Sequence, residues 1–146
     1  MKTRTGILIV GFLTLAASAS RGAAPNQNTQ SLLDANPGLR ATLERGRLTS
    51  LYGAPFLTNT ASAPTATFVQ SFVDQQAVAL GVSANELVPV ESFVIRNGTL
   101  KVFNYTQSIE GLPVHGAGLK IPIVVGGMAQ IGYVGIRLVP KPDVAL

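Results

Sequence analysis

At Gly81 the hydrophobic period of this chain changes from that of a helix to that of strands, and the change narrows the folds open to it. Before Gly81, Phe68, Val69, Phe72, Val73, Ala77 and Leu80 recur at i, i+3 and i+4, which places them on one helical stripe. The spacing predicts a helix over 64–80. Ser62 caps it, Pro64 sits in the first turn, where no backbone N–H is needed, and Gly81 ends it. Ser83 with Glu86 three residues on suits a capping box for one further short turn.

After Leu87 the pattern is that of strands. Pro89–Arg96 and Thr99–Ile109 flank Asn97-Gly98, a pair that tolerates the positive φ of a two-residue hairpin. That loop sets Ile95 opposite Leu100 and Phe93 opposite Val102 as one apolar face, with Arg96, Thr99 and Lys101 on the other. Val90, Phe103 and Tyr105 share the second face, so either both faces are covered there or a bulge intervenes. Leu119, Ile121, Ile123 and Val125 alternate cleanly, and Pro122 among them argues for an edge position. Gly126-Gly127 then turns into a last strand from Met128 to about Val139. The expected fold is α+β: one long helix packed on an antiparallel meander sheet, a cystatin-like or PepSY-like roll, preceded by a signal peptide.

The leader is residues 1–19, with Lys2 and Arg4 before an apolar run from Ile7 to Leu15 and Ala17-Ser18-Ala19 as the small-residue cleavage pattern. The run is short for a bilayer span, so cleavage and export follow, to a secreted or periplasmic location with no membrane attachment afterwards. Residues 20–38 read as a flexible N-terminal segment, 39–140 as the domain, and 141–146 as a tail or the start of a linker. Within the domain, Leu39, Ala41 and Leu43 alternate and Arg45-Gly46 can turn the chain back through Leu48 to Tyr52, although Leu39 and Leu43 also suit a helix. The chain has no cysteine, so an exported domain must hold by packing alone. Without Lys2 and Arg4 the formal charge falls from +4 to +2, and the one basic cluster, Arg40, Arg45 and Arg47, contains Glu44. That is too little for a nucleic-acid stripe.

The residues for catalysis are hard to assemble. His115 is the single histidine, and zinc needs three or four protein ligands. No H-E-x-x-H, nucleophile elbow or phosphate-binding glycine loop occurs. The expectation is a chain that is not an enzyme and holds no metal or cofactor.

From Tyr105 to Gly116 the chain reads Tyr-Thr-Gln-Ser-Ile-Glu-Gly-Leu-Pro-Val-His-Gly. This resembles the propeptide motif of fungalysin- and thermolysin-type metallopeptidases, in which Gln107, Gly111, Leu112, Pro113, Val114 and Gly116 match. The helix ending at Leu80-Gly81 fits the family order, and the likeness spans about residues 40–139. Asn104 stands where the family has Arg, Ile109 and His115 stand where it has aromatics, and a His of the next strand is missing near Pro122. Pro113 forces an extended approach, and Gly111 and Gly116 admit tight backbone, which together suggest a rigid, kinked crossover between strands. The resemblance implies a non-catalytic propeptide-like domain that assists folding of, or inhibits, a secreted zinc metallopeptidase, in cis as part of a larger precursor or in trans. It implies partner-binding residues Gln107, Gly111, Leu112, Pro113, Val114, His115 and Gly116. The alternative is a free-standing secreted interaction or structural module with no peptidase target.

Overall fold

The computed structural model describes residues 26–58, 65–124 and 128–140. Its elements are α1 (Gln27–Ala35), β1 (Leu39–Glu44), β2 (Arg47–Thr58), α2 (Thr65–Leu80), a 3₁₀ turn (Ala84–Glu86), β3 (Leu87–Pro89), β4 (Phe93–Ile95), β5 (Leu100–Ile109), β6 (Leu112–Val124) and β7 (Gln130–Arg137). The strands form one antiparallel sheet in the order β1-β2-β7-β6-β5-β3, with β4 also on β5. This overturns the expectation of one long helix on a meander, and with it the cystatin-like or PepSY-like roll. Among the described residues the molecule is mostly antiparallel sheet, seven strands with two short helices of nine and sixteen residues. The physical reason lies in β7, whose Ile131, Val134 and Ile136 are buried and need neighbours on both sides. β6 supplies one, and the N-terminal hairpin β1–β2 returns to supply the other.

α2 buries the stripe the sequence sets out: Phe68, Val69, Phe72, Val73, Ala77 and Leu80 share one core with Leu51, Phe103, Tyr105, Leu119, Ile121, Ile123, Ile131 and Val134. Each fully buried side chain of this size stabilises the fold by roughly 1.5–3 kcal/mol. Gly81, at φ +90°, closes the helix in a Schellman arrangement, with Val82 N–H donating to Ala77 O at 3.0 Å and Gly81 N–H to Val78 O at 3.1 Å. Ala79 O is still open after that closure, and the Thr29 hydroxyl donates to it at 2.6 Å. Thr29 is buried, so a polar contact docks α1 onto the end of α2. Asn26 caps α1, its Oδ1 accepting from Thr29 N–H at 2.8 Å. Much of the stretch assigned to a flexible segment is therefore helix. Ser83 makes no side-chain cap, so the expected capping box does not form. Ser62, Pro64, the leader, Gly126-Gly127, Val125 and the tail lie outside the described residues.

The hairpin about Asn97-Gly98 has the expected register, Phe93 to Val102 and Ile95 to Leu100, with φ of +53° and +90° at the two turn residues. The strand before it is broken, however. β3 and β4 are three residues each, and Asn104 spans the gap. Its backbone O accepts from Val90 N–H at 2.9 Å, and its Nδ2 donates to Glu91 O at 3.0 Å. β4 is exposed at all three positions, so the predicted apolar face is buried only at Val102. Pro122 does not mark an edge strand, because β6 lies between β5 and β7. It is tolerated because β7 pairs with β6 only at residues 118–120, and the missing N–H of Pro122 falls beyond that stretch.

Candidate functional site

β5 and β6 are joined by a tight hairpin at Glu110-Gly111, both at positive φ (+53° and +83°), with Ile109 opposite Leu112 and Ser108 opposite Pro113. The expected kinked crossover is thus a hairpin arm. Its kink comes from a register shift: Thr106 pairs with Gly118, so residues 114–117 of β6 stand against Gln107 alone. Gly118 makes this possible. A Cβ there would run into Tyr105 O, so only glycine lets β6 rejoin β5 after the bulge.

The seven residues singled out by the motif separate into two groups. Gln107 is fully buried. Its Nε2 donates to Val139 O at 2.8 Å, and its Oε1 accepts from Val139 N–H at 2.8 Å, so the amide pairs with the backbone after β7 as a strand neighbour would. The same Nε2 lies 3.4 Å from Glu86 Oε2. Gln107 is an internal pin, its side chain enclosed by the fold. The other six lie on the arm. Leu112 is 73% exposed, Gly111, Pro113, His115 and Gly116 are exposed, and Val114 is half-buried.

Beside the arm, on the sheet face opposite α2, lies a groove of about 820 Å³. Pro113, His115, Gly118, Lys120, Asn104 and Arg137 are among the residues that line it. Gly118 pairs with Arg137 and Lys120 pairs with Gly135, so each cation faces a residue with no side chain. The Tyr133 side chain reaches over Gly135, where an added Cβ would lie 3.3 Å from its hydroxyl. A smaller hollow of about 510 Å³ lies against the β1–β2 hairpin, lined by Glu44, Arg45, Arg47 and Arg137, so Arg137 belongs to both. Sequence reasoning missed Lys120, Arg137 and Asn104. The available signal was parity: Lys120 lies between Leu119 and Ile121, both buried, and must point to the opposite face.

On the helix side the electrostatics concern Tyr105. Its hydroxyl donates to Gln70 Oε1 at 3.1 Å, and its pKa is pushed up to about 12, first by burial and then by the charge of Asp74. Among the described residues no group of three or more His, Cys, Asp or Glu side chains is placed to hold a metal ion. No helix among them is long and apolar enough to cross a membrane. The propeptide likeness rests on the motif residues alone: no protein-family model, no curated protein and no solved structure matches this chain.

Proposed function

We propose that this chain is a non-catalytic, propeptide-like docking domain that assists the folding of a secreted zinc metallopeptidase or blocks it. The observation that carries the docking part is the β5–β6 arm, which holds Leu112 at its tip, 73% exposed. A large apolar side chain on a rigid support, with little ordering left to do on binding, is the kind of anchor that dominates an interface. The Gln107 pin fixes the base of the arm, and the Ser108–Pro113 and Ile109–Leu112 pairs carry it to the tip. The peptidase as partner is drawn from the motif resemblance. In this reading the exposed motif residues Leu112, Pro113, Val114 and His115 meet the partner, while Gly111 and Gly116 shape the backbone that carries them.

The test is inhibition and refolding of a thermolysin-like peptidase in the presence of the exported chain and its Leu112→Asp and Val114→Asp variants, each checked for unchanged circular dichroism. A charge at a buried anchor is expected to weaken binding by about 2 kcal/mol or more, roughly thirtyfold in inhibition. Equal potency of both variants removes the arm from the interface. If the wild-type chain neither inhibits nor assists refolding, and co-purifies with cell-envelope components, it is a free-standing interaction module.

A further inference from the structure

We infer that the groove beside the arm and the hollow beside the β1–β2 hairpin form one track that binds an extended acidic peptide segment of the docking partner, with Lys120 and Arg137 as its principal contacts. This rests on the docking reading and adds the chemistry of what is bound. The two depressions share Arg137 and Ile136 as a common wall. Between them they gather His115, Lys120, Arg137, Arg47 and Arg45, against the single carboxylate Glu44. No carboxylate lines the groove that holds Lys120, and Glu44 is the one carboxylate lining the hollow that Arg137 borders. Unlike Lys101, which sits 5.0 Å above the Phe103 ring, these two cations have no internal partner of that kind.

The dimensions favour a peptide. Strands β5, β6, β7, β2 and β1 lie side by side in that order, which at about 4.8 Å per strand makes the track about 19 Å wide. An extended chain rising about 3.3 Å per residue crosses it with about six residues. The lining also mixes apolar surface at Val90, Pro113 and Ala117 with the uncharged polar groups of Asn104 and Thr106. A segment that carries both acidic and apolar residues matches both kinds of lining. A nucleic acid fits less well. Tyr133 lies beside Gly135 at the groove and Tyr52 faces it across β2 and β7, so one aromatic pair borders the cations and no run of aromatics is interleaved with them.

The experiment titrates the full chain into a fluorescein-labelled peptide of alternating Glu and Leu, about six residues long, and follows anisotropy. A Gln-for-Glu version of the peptide and a short oligothymidylate are the comparison probes. The acidic peptide is expected to bind at least about tenfold more tightly than its Gln version, and Lys120→Gln with Arg137→Gln together to weaken it at least about tenfold. Arg45→Gln with Arg47→Gln is expected to weaken it by about threefold, and higher salt to weaken it further. Equal binding of the two peptides, an unchanged affinity in the Lys120/Arg137 double variant with intact circular dichroism, or tighter binding of the oligothymidylate would each overturn the track. The docking reading fails separately. Peptide binding without any effect on the peptidase removes the peptidase and keeps the track, whereas Leu112-dependent inhibition without peptide binding removes the track and keeps the arm.

Discussion

Replacing Gln107 tests how the arm is held. Its amide makes two hydrogen bonds of 2.8 Å with the Val139 backbone and sits fully buried in β5. Gln107→Leu keeps most of the volume and removes both bonds. A typical internal hydrogen bond contributes about 0.5–1.5 kcal/mol net, so the loss is about 1–3 kcal/mol. The lower end is the better expectation, because Val139 is 39% exposed and water can reach its freed backbone groups once the segment lifts. For a domain of this size that is a fall of about 4–12 °C in Tm. Gln107→Glu separates hydrogen bonding from volume. The new carboxylate cannot donate to Val139 O, and its burial raises its pKa above the ordinary value of about 4.3. Protonated, it can donate again. The folded state then binds more protons than the unfolded chain, so stability is recovered at acid pH and lost as pH rises through the raised pKa. Thermal melts from pH 4 to pH 8, with amide exchange of Val139 as the local readout, decide the matter. If Gln107→Leu leaves both the melting point and the Val139 protection factor at wild-type values, the amide is not a pin and the rigidity argued for the arm loses a support.

Two further outcomes are expected. Gly118→Ala drives a Cβ into Tyr105 O and should cost about 3 kcal/mol in urea denaturation, whereas Gly111→Ala has open space and only its φ of +83° against it, so about 1 kcal/mol. Equal costs at the two glycines would show that close approach is not what Gly118 provides. Tyr105 ionises at about 12 in the folded protein and at about 10 when unfolded, so its contribution is fully present below pH 10 and is lost as pH rises towards 12. Melting curves across that window should fall more steeply for the wild type than for Tyr105→Phe, and parallel curves would refute the assignment.

What could be read in the sequence was local. The α2 stripe and the β4–β5 register follow from periods and turn chemistry acting over a few residues, and Leu39, Ala41 and Leu43 chose the strand over the helix. α1 escaped because its stability is polar and tertiary. Leu32 and Leu33 are only partly buried, while the Asn26 cap and the Thr29 contact with α2, fifty positions away, carry no periodicity. The bulge at 114–117 was hidden for a related reason. Gly111, Pro113 and Gly116 announced irregular backbone, but whether it bridged two strands or kinked a hairpin arm depended on the long-range pairing of Gly118 with Thr106. Gln107 stood in the motif as a recognition residue, and the structure buries it, because a buried amide and a recognition amide look alike in one dimension.

The interruption between β3 and β4 bears on how this chain keeps to itself. Val88, Val90, Phe93, Val94 and Ile95 together make that border of the sheet as greasy as any sticky seam. Yet Asn104 ties the intervening backbone down, so a foreign strand arriving there meets two stubs of three residues each and no continuous row of amides to zip along. At the far border, β1 carries Arg40 and Glu44 outward. Among the described residues, each border of the sheet is thus a poor template for fibres, in a molecule rich in sheet and free of cysteine.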